Sequence, residues 1–125
     1  MENPMHSIKL FLLLLLTALT ACHQPTPLTA CRLYLGLAAP GRAPSTIDHV
    51  QSVINDALLN TSISGWTLYP AHGAWRNDSA KPFERESSVV IELIGDRTII
   101  DVSHALGKSL EQTQQQEAVL VYCTP

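Results

Sequence analysis

The stretch CRLYLGL, residues 31–37, places an apolar side chain at every second position. Alternation with a period of two is typical of a strand that buries one of its faces. The chain ends on a second short apolar run, AVLVYC at residues 118–123, which predicts the last strand. Cys31 therefore opens the first predicted strand, and Cys123 closes the last one.

Two segments between these strands have the periodicity of amphipathic helices. Ser45 followed by Asp48 resembles a capping box and predicts the start of the first helix, and Thr98 with Asp101 predicts the start of the second. The apolar stripe of the first helix comprises Ile47, Val50, Ile54, Ala57 and Leu58. The stripe of the second helix comprises Ile99, Val102, Leu106 and Leu110.

Two further segments are predicted to be extended. Residues 63–75 form the first of them and contain Pro70, and residues 88–94 form the second, rich in valine and isoleucine. The polar residues 76–86 between them are predicted to be a turn or loop.

The resulting order, β-α-β-β-α-β, is the split βαβ arrangement of ferredoxin-like folds. We therefore predict an α+β domain, a four-stranded antiparallel sheet with two helices on one face. We expect the first and last strands to be antiparallel neighbours in the sheet centre. The second strand should lie at an edge, where a proline such as Pro70 is tolerated.

The N-terminal part of the chain resembles a bacterial lipoprotein signal. Lys9 precedes an apolar run at residues 10–16, and LTAC at residues 19–22 resembles a lipobox. The resemblance implies that residues 1–21 are removed and that Cys22 is acylated. An ordinary cleaved signal is the alternative, whereas the apolar run is too short for a membrane span. His23, rather than aspartate, follows Cys22, which favours the outer membrane by the sorting rule of enteric bacteria.

These expectations predict where the protein is located and how the chain is divided into domains. The protein should be lipid-anchored in the bacterial cell envelope, at the outer membrane and facing the periplasm. Residues 22–30 would be the tether, and residues 31–125 a single domain. Because the periplasm is oxidising and the predicted strands bring Cys31 beside Cys123, we expect a disulfide between them. The alternative is two buried thiols that pack as small hydrophobes.

Composition excludes several classes of partner. Eight Lys and Arg residues against eleven Asp and Glu residues give a formal charge of −3, so there is no basic surface for nucleic acid. The cysteines form no C-x-x-C motif, and no His/Cys cluster has metal-ligand spacing. We therefore expect no metal and no cofactor.

Three short motifs resemble a bacterial family, domain of unknown function 3574. They are LYLG at residues 33–36, GAWR at residues 73–76 and QEAV at residues 116–119. The resemblance covers nearly all of the chain after residue 22. It implies the same fold and an extracytoplasmic location, and it implies no activity.

The uncovered face of the predicted sheet is a candidate binding surface. It could take a partner, a ligand or a second copy of the chain, or be an ordinary surface with exposed apolar atoms. Its expected residues are Arg32, Tyr34, Val90, Glu92, Ile94, Leu120 and Tyr122.

The end of the second predicted strand is the other candidate site, with Tyr69, His72, Trp75 and Arg76. An arginine beside an aromatic ring can bind a carboxylate or phosphate. The alternative is that Arg76 pairs with Glu84 or Glu86 across the turn.

The sequence thus favours a lipid-anchored binding or interaction module that takes a protein partner or a small anion. A structural homodimer is the alternative. A small hydrolase or isomerase that uses His72 with Glu84 or Glu86 is less favoured, because no nucleophile, base and orienting group are placed together.

The anchor can be tested by metabolic labelling with a palmitate analogue. We expect the protein to be labelled, and Cys22→Ser to abolish the label and leave the protein unprocessed or soluble, because the acylated sulfur is gone. Cys31→Ser is the control, and it should keep the label. Labelling that survives Cys22→Ser would rule out the lipoprotein assignment.

Overall fold

The computed structural model describes residues 27–38, 41–76, 78–116 and 118–124 of the 125-residue chain. The predicted signal peptide, Cys22 and residues 23–26 of the tether lie outside the described residues. The elements follow the predicted order. They are β1 (Thr29–Gly36), α1 (Ile47–Leu58), β2 (Trp66–Trp75), β3 (Glu84–Gly95), α2 (Ile99–Gln114) and β4 (Leu120–Thr124).

The four strands form one antiparallel sheet in the order β2-β3-β1-β4. This confirms the ferredoxin-like α+β fold, the antiparallel pairing of the first and last strands, and the edge position of β2 with Pro70. The expectation that the last strand lies in the sheet centre is wrong. Because β3 occupies one side of β1, β4 takes the other side and becomes the second edge.

Both helices cover the same face of the sheet. Alternation along β1 buries Cys31, Leu33 and Leu35 on that face, and β3 buries Val89, Ile91 and Leu93 beside them. The helices contribute the predicted stripes, with Val50, Ile54 and Leu58 buried from α1 and Ile99, Leu106 and Leu110 from α2. Each fully buried leucine or isoleucine stabilises the fold by about 1.5–3 kcal/mol relative to an exposed one.

The first helix starts one residue later than the capping pattern predicts. Thr46, not Ser45, is the N-cap, and its hydroxyl accepts a hydrogen bond from the His49 backbone N–H at 3.2 Å. The Ser45 hydroxyl instead donates to Oε1 of Gln114, a buried residue at the end of α2. The loop between β1 and α1 is therefore fastened to α2 by the residue that was predicted to cap α1.

The start of the second helix also differs in its cap. Thr98 has helical backbone angles and makes no capping bond, so Asp101 is not its partner. The Asp96 carboxylate accepts hydrogen bonds from both the hydroxyl and the backbone N–H of Thr98. These bonds, the hydroxyl one foremost, lower the pKa of Asp96. Within the described ranges, no helix is long and apolar enough to cross a membrane.

Strand β3 begins at Glu84, four residues before the predicted start, and it pairs with β2 along ten residues. Part of the predicted loop is therefore strand. Residues 84–87 pair with residues 72–75, so β2 and β3 continue as a two-stranded ribbon past the last β1 partner, Gly36.

A disulfide joins Cys31 to Cys123, which are register partners in the β1–β4 pair with Cα atoms 4.0 Å apart. Cys31 is fully buried on the helix-covered face, as its shared parity with Leu33 requires. The bond closes a loop of 92 residues.

Breaking this bond should destabilise the domain by about 4 kcal/mol, because cross-linking so long a loop removes much of the chain entropy of the unfolded state. Thermal unfolding of the exported protein with and without reductant measures the effect. In the double variant Cys31→Ser/Cys123→Ser, reductant should have no effect. Two free thiols after a rapid alkylating quench would contradict the bond.

Candidate functional site

The sheet face opposite the helices is open and carries the predicted residues. Arg32 and Tyr34 on β1, Glu92 and Ile94 on β3, and Leu120 and Tyr122 on β4 share this face by register. Ile94, Leu120 and Tyr122 are 57%, 54% and 56% exposed. Val90 also lies on this face, but it is buried because Tyr34 and Tyr69 are its register partners on either side.

The only ion pair among the described residues lies across this face. Arg32 Nε donates to Glu92 Oε1 at 2.7 Å between the two central strands. The hydrogen bond with Glu92 raises the pKa of Arg32. An exposed pair of this kind adds little to stability, so its main effect is to neutralise the middle of the face.

Two glycines shape the far end of the open face. A Cβ atom on Gly36 would lie 2.6 Å from both carboxylate oxygens of Glu86. A Cβ atom on Gly73 would lie 2.6 Å from Nε1 of Trp75 and 2.7 Å from Oγ of Ser88. The missing side chains therefore let the Glu86 carboxylate come close to Gly36 and the Trp75 indole come close to Gly73. We call Gly36, Gly73, Trp75, Glu86 and Ser88 the Glu86 cluster.

The polar atoms of the Glu86 cluster are incompletely satisfied by the protein. Ser88 is 6% exposed, and its Oγ has no hydrogen-bond partner in the described part of the chain. The Glu86 carboxylate makes no ion pair with another described residue, and its partial burial raises its pKa. Buried polar groups in native proteins nearly always have hydrogen-bond partners. At this end of the face, the described residues do not supply a partner for the Ser88 hydroxyl or a counter-charge for Glu86.

The four residues predicted at the end of β2 do not form one site. Tyr69 and Trp75 share the open face, whereas His72 alternates to the opposite face. Arg76 follows the strand and stacks on Phe83, with its guanidinium carbon 4.7 Å from the ring centroid. It also donates to the backbone oxygen of Ser79 at 3.3 Å. In the described residues, Arg76 thus contacts its own loop rather than Glu84 or Glu86.

His72 lines a shallow depression of about 440 Å³, whose other lining residues are Gly73, Ala74, Arg85, Glu86 and Ser87. His72 pairs with Ser87, while Gly73 pairs with Glu86 and Trp75 with Glu84. The side chains of Glu84 and Glu86 therefore leave the ribbon on the face opposite His72. This alternation does not support the predicted pairing of His72 with either glutamate as an acid–base dyad.

Sequence reasoning missed Ser88 and the two glycines as site residues. Gly36 and Gly73 were visible as glycines inside strands, a signal of close approach by another group. Within the described ranges, no group of three or more His, Cys, Asp or Glu side chains is placed to hold a metal ion.

The sequence matches no protein-family model and no curated protein. Among solved structures, the chain is similar to a phage SAM lyase in complex with S-methyl-5′-thioadenosine, with a TM-score of 0.67 and 21% identity. That match covers 83% of this chain and 85% of the lyase. The apo form of a phage SAM lyase has a TM-score of 0.66 at 22% identity and covers 77% of this chain and 78% of that one.

A second similar structure is the periplasmic divalent cation tolerance protein CutA from Archaeoglobus fulgidus. Its TM-score is 0.55 at 5% identity, with 79% of this chain and 83% of CutA covered. At such identities, these likenesses establish the ferredoxin-like fold and nothing about ligands. The resemblance to domain of unknown function 3574 stays a prediction.

The packing role of Gly73 can be tested with a single methyl group. Gly73→Ala should displace the Trp75 indole from Ser88, because the new Cβ would overlap Nε1. In a Trp66→Phe background, acrylamide should then quench the Trp75 emission more strongly. Gly65→Ala is the matched control, since nothing lies within 4 Å of its added Cβ. Equal quenching in the two variants would contradict the proposed packing.

Proposed function

We propose that the protein is a lipid-anchored binding module of the bacterial cell envelope, with a small-molecule site at the Glu86 cluster. One observation carries the site: Glu86, a partly buried carboxylate without an ion-pair partner, lies on the same face of β3 as the buried, unpartnered hydroxyl of Ser88, two residues along the strand. Leaving a buried polar group unpaired costs about 1–3 kcal/mol. A ligand that supplies the missing partners recovers this free energy on binding.

The position of the cluster suits recognition. It lies on a face that the helices leave open, where a ribbon of β2 and β3 extends beyond the end of β1. Trp75 is 42% exposed and presents an aromatic surface on the same face of the ribbon as the carboxylate. Aromatic surface with a few placed polar groups is the usual composition of a small-molecule site.

Binding without chemistry is favoured because no histidine shares this face in the described part of the chain. His49 and His104 are on the helices, and His72 points to the helix side of the ribbon. The Ser88 hydroxyl therefore has no imidazole to activate it.

The proposed location in the cell envelope rests mainly on the sequence. The lipobox-like LTAC at residues 19–22 supports the anchor at Cys22. The Cys31–Cys123 disulfide supports an oxidising compartment, since such bonds are rare in the cytosol. We place the domain on the periplasmic side of the outer membrane, on a tether of residues 22–30.

A homodimer through the open face is a second candidate. The exposed Ile94, Leu120 and Tyr122 favour it, because an apolar surface of this kind is stabilised when a second sheet covers it. By register, Ile94 and Tyr122 lie at the Arg32 end of the face, and Leu120 lies beside Tyr34 between that end and Gly36. The molar mass of the purified protein by light scattering separates a dimer from a monomer.

The binding site can be tested by NMR on the protein purified from the cell envelope. The probes are S-methyl-5′-thioadenosine, the small molecule named with the phage lyase, and a small-molecule extract of the same envelope. We expect the Ser88 amide and the Trp75 indole N–H signals to shift, and Glu86→Ala to reduce those shifts, because it removes the carboxylate.

Asp101→Asn is the control, since it removes one exposed carboxylate from α2 and should leave the shifts intact. Shifts confined to the Ile94, Leu120 and Tyr122 surface would contradict a site at Glu86. An unchanged spectrum with both probes would do the same.

A further inference from the structure

The charge of the Glu86 cluster narrows the kind of ligand that it can hold. Glu86 brings a negative charge into a partly desolvated position. Desolvating a carboxylate is unfavourable unless a positive charge or several hydrogen bonds compensate it. A ligand with its own carboxylate or phosphate would add to the penalty.

The described cations of the protein do not supply this compensation. Arg32 is engaged by Glu92 nearer the middle of the face, and Arg76 is stacked on Phe83. Arg85 is adjacent to Glu86 in β3, so its side chain alternates to the other face of the ribbon. Glu86 therefore has no positive partner among these arginines.

The surroundings of Glu86 suit an organic cation better than a metal ion. Calcium and magnesium need several oxygen ligands, and the described residues place no group of three acidic or histidine side chains together. The Glu86 cluster instead combines one carboxylate with the indole of Trp75. An aromatic face attracts alkylated cations, whose weak hydration makes them easy to desolvate.

The two glycines of the Glu86 cluster determine how close the neighbouring side chains come to the sheet. Because Gly36 and Gly73 have no side chains, the Glu86 carboxylate packs against Gly36, and the Trp75 indole packs against Gly73 next to Ser88 Oγ. This end of the face therefore offers one exposed ring, Trp75, with the carboxylates of Glu84 and Glu86 on the same side of the ribbon. A compact alkylated cation matches both the negative charge and the exposed ring.

We infer that the ligand of this site is a small organic cation of the alkylammonium or sulfonium class, held by the Glu86 carboxylate and the Trp75 ring. This inference rests on the proposed function, because it assigns a ligand class to the same site.

The test compares choline with 3,3-dimethyl-1-butanol, which has the same shape with a carbon in place of the charged nitrogen. Both are titrated into the full protein, and binding is followed by the Trp75 indole N–H signal in a Trp66→Phe background. Choline should bind at least about tenfold more tightly than the alcohol, because only choline gains the carboxylate and the ring as counter-charge.

Three variants separate the effect of charge from an effect on folding. Glu86→Gln keeps the shape of the side chain, and it should weaken choline binding about tenfold while leaving the alcohol nearly unchanged. Asp101→Asn removes the same charge far from the site and should change neither. Trp75→Leu should weaken choline as well. Melting temperatures of all the variants show whether each one is folded.

The outcomes distinguish the inference from the proposed function. If choline and the alcohol bind equally to the site, or Glu86→Gln leaves choline binding unchanged, the cation class is wrong and the site stands. If neither compound, nor S-methyl-5′-thioadenosine, nor the envelope extract shifts the Trp75 signal, both proposals are overturned. Tight choline binding that depends on Glu86 and Trp75 supports both.

Discussion

Strand β1 is the element on which the rest of the fold depends, because it pairs with β3 on one side and β4 on the other. Its alternation places Cys31, Leu33 and Leu35 under the two helices. A slip of one residue would exchange these side chains for Arg32 and Tyr34, and the core would lose its centre. The disulfide to Cys123 holds the same register covalently, so hydrophobic burial and a cross-link enforce one arrangement.

The parts of the fold that follow from periodicity could be predicted from the sequence. The alternation of β1 and the stripes of α1 and α2 report directly which side chains are buried, and the structure buries most of them. The helix caps could not be predicted in the same way. The Ser45 hydroxyl donates a hydrogen bond to Gln114, which is 69 positions away in the chain. Only the tertiary structure brings Gln114 to the start of α1, so the sequence alone does not show that Ser45 bonds there instead of capping the helix. The place of β4 at an edge depends likewise on which side of β1 was already occupied.

The candidate site was harder to predict because it is assembled by register across three strands. Glu86 fell in the predicted loop, since the run ERESS at residues 84–88 has no apolar alternation to mark a strand. Strand pairing places Gly73 opposite Glu86 and Gly36 opposite Ser88. Only this pairing shows that the two glycines flank these two residues of β3. Conversely, Tyr69, His72, Trp75 and Arg76 are close in sequence, but strand alternation and the Arg76–Phe83 contact direct them to different places.

The two ends of the open face have different chemistry, and this limits what one partner can cover. Towards the end near Arg32, an internally neutral ion pair lies among exposed Ile94, Leu120 and Tyr122, which suits a broad apolar contact. At the other end, Glu84 and Glu86 leave uncompensated negative charge on the same face as the Trp75 ring, which suits a small ligand. An apolar partner placed over Glu86 would bury that charge without a counter-ion, at a cost of several kcal/mol. Covering the whole face with one apolar surface is therefore unfavourable, whereas a partner at the apolar end and a cation at Glu86 are compatible on the same sheet.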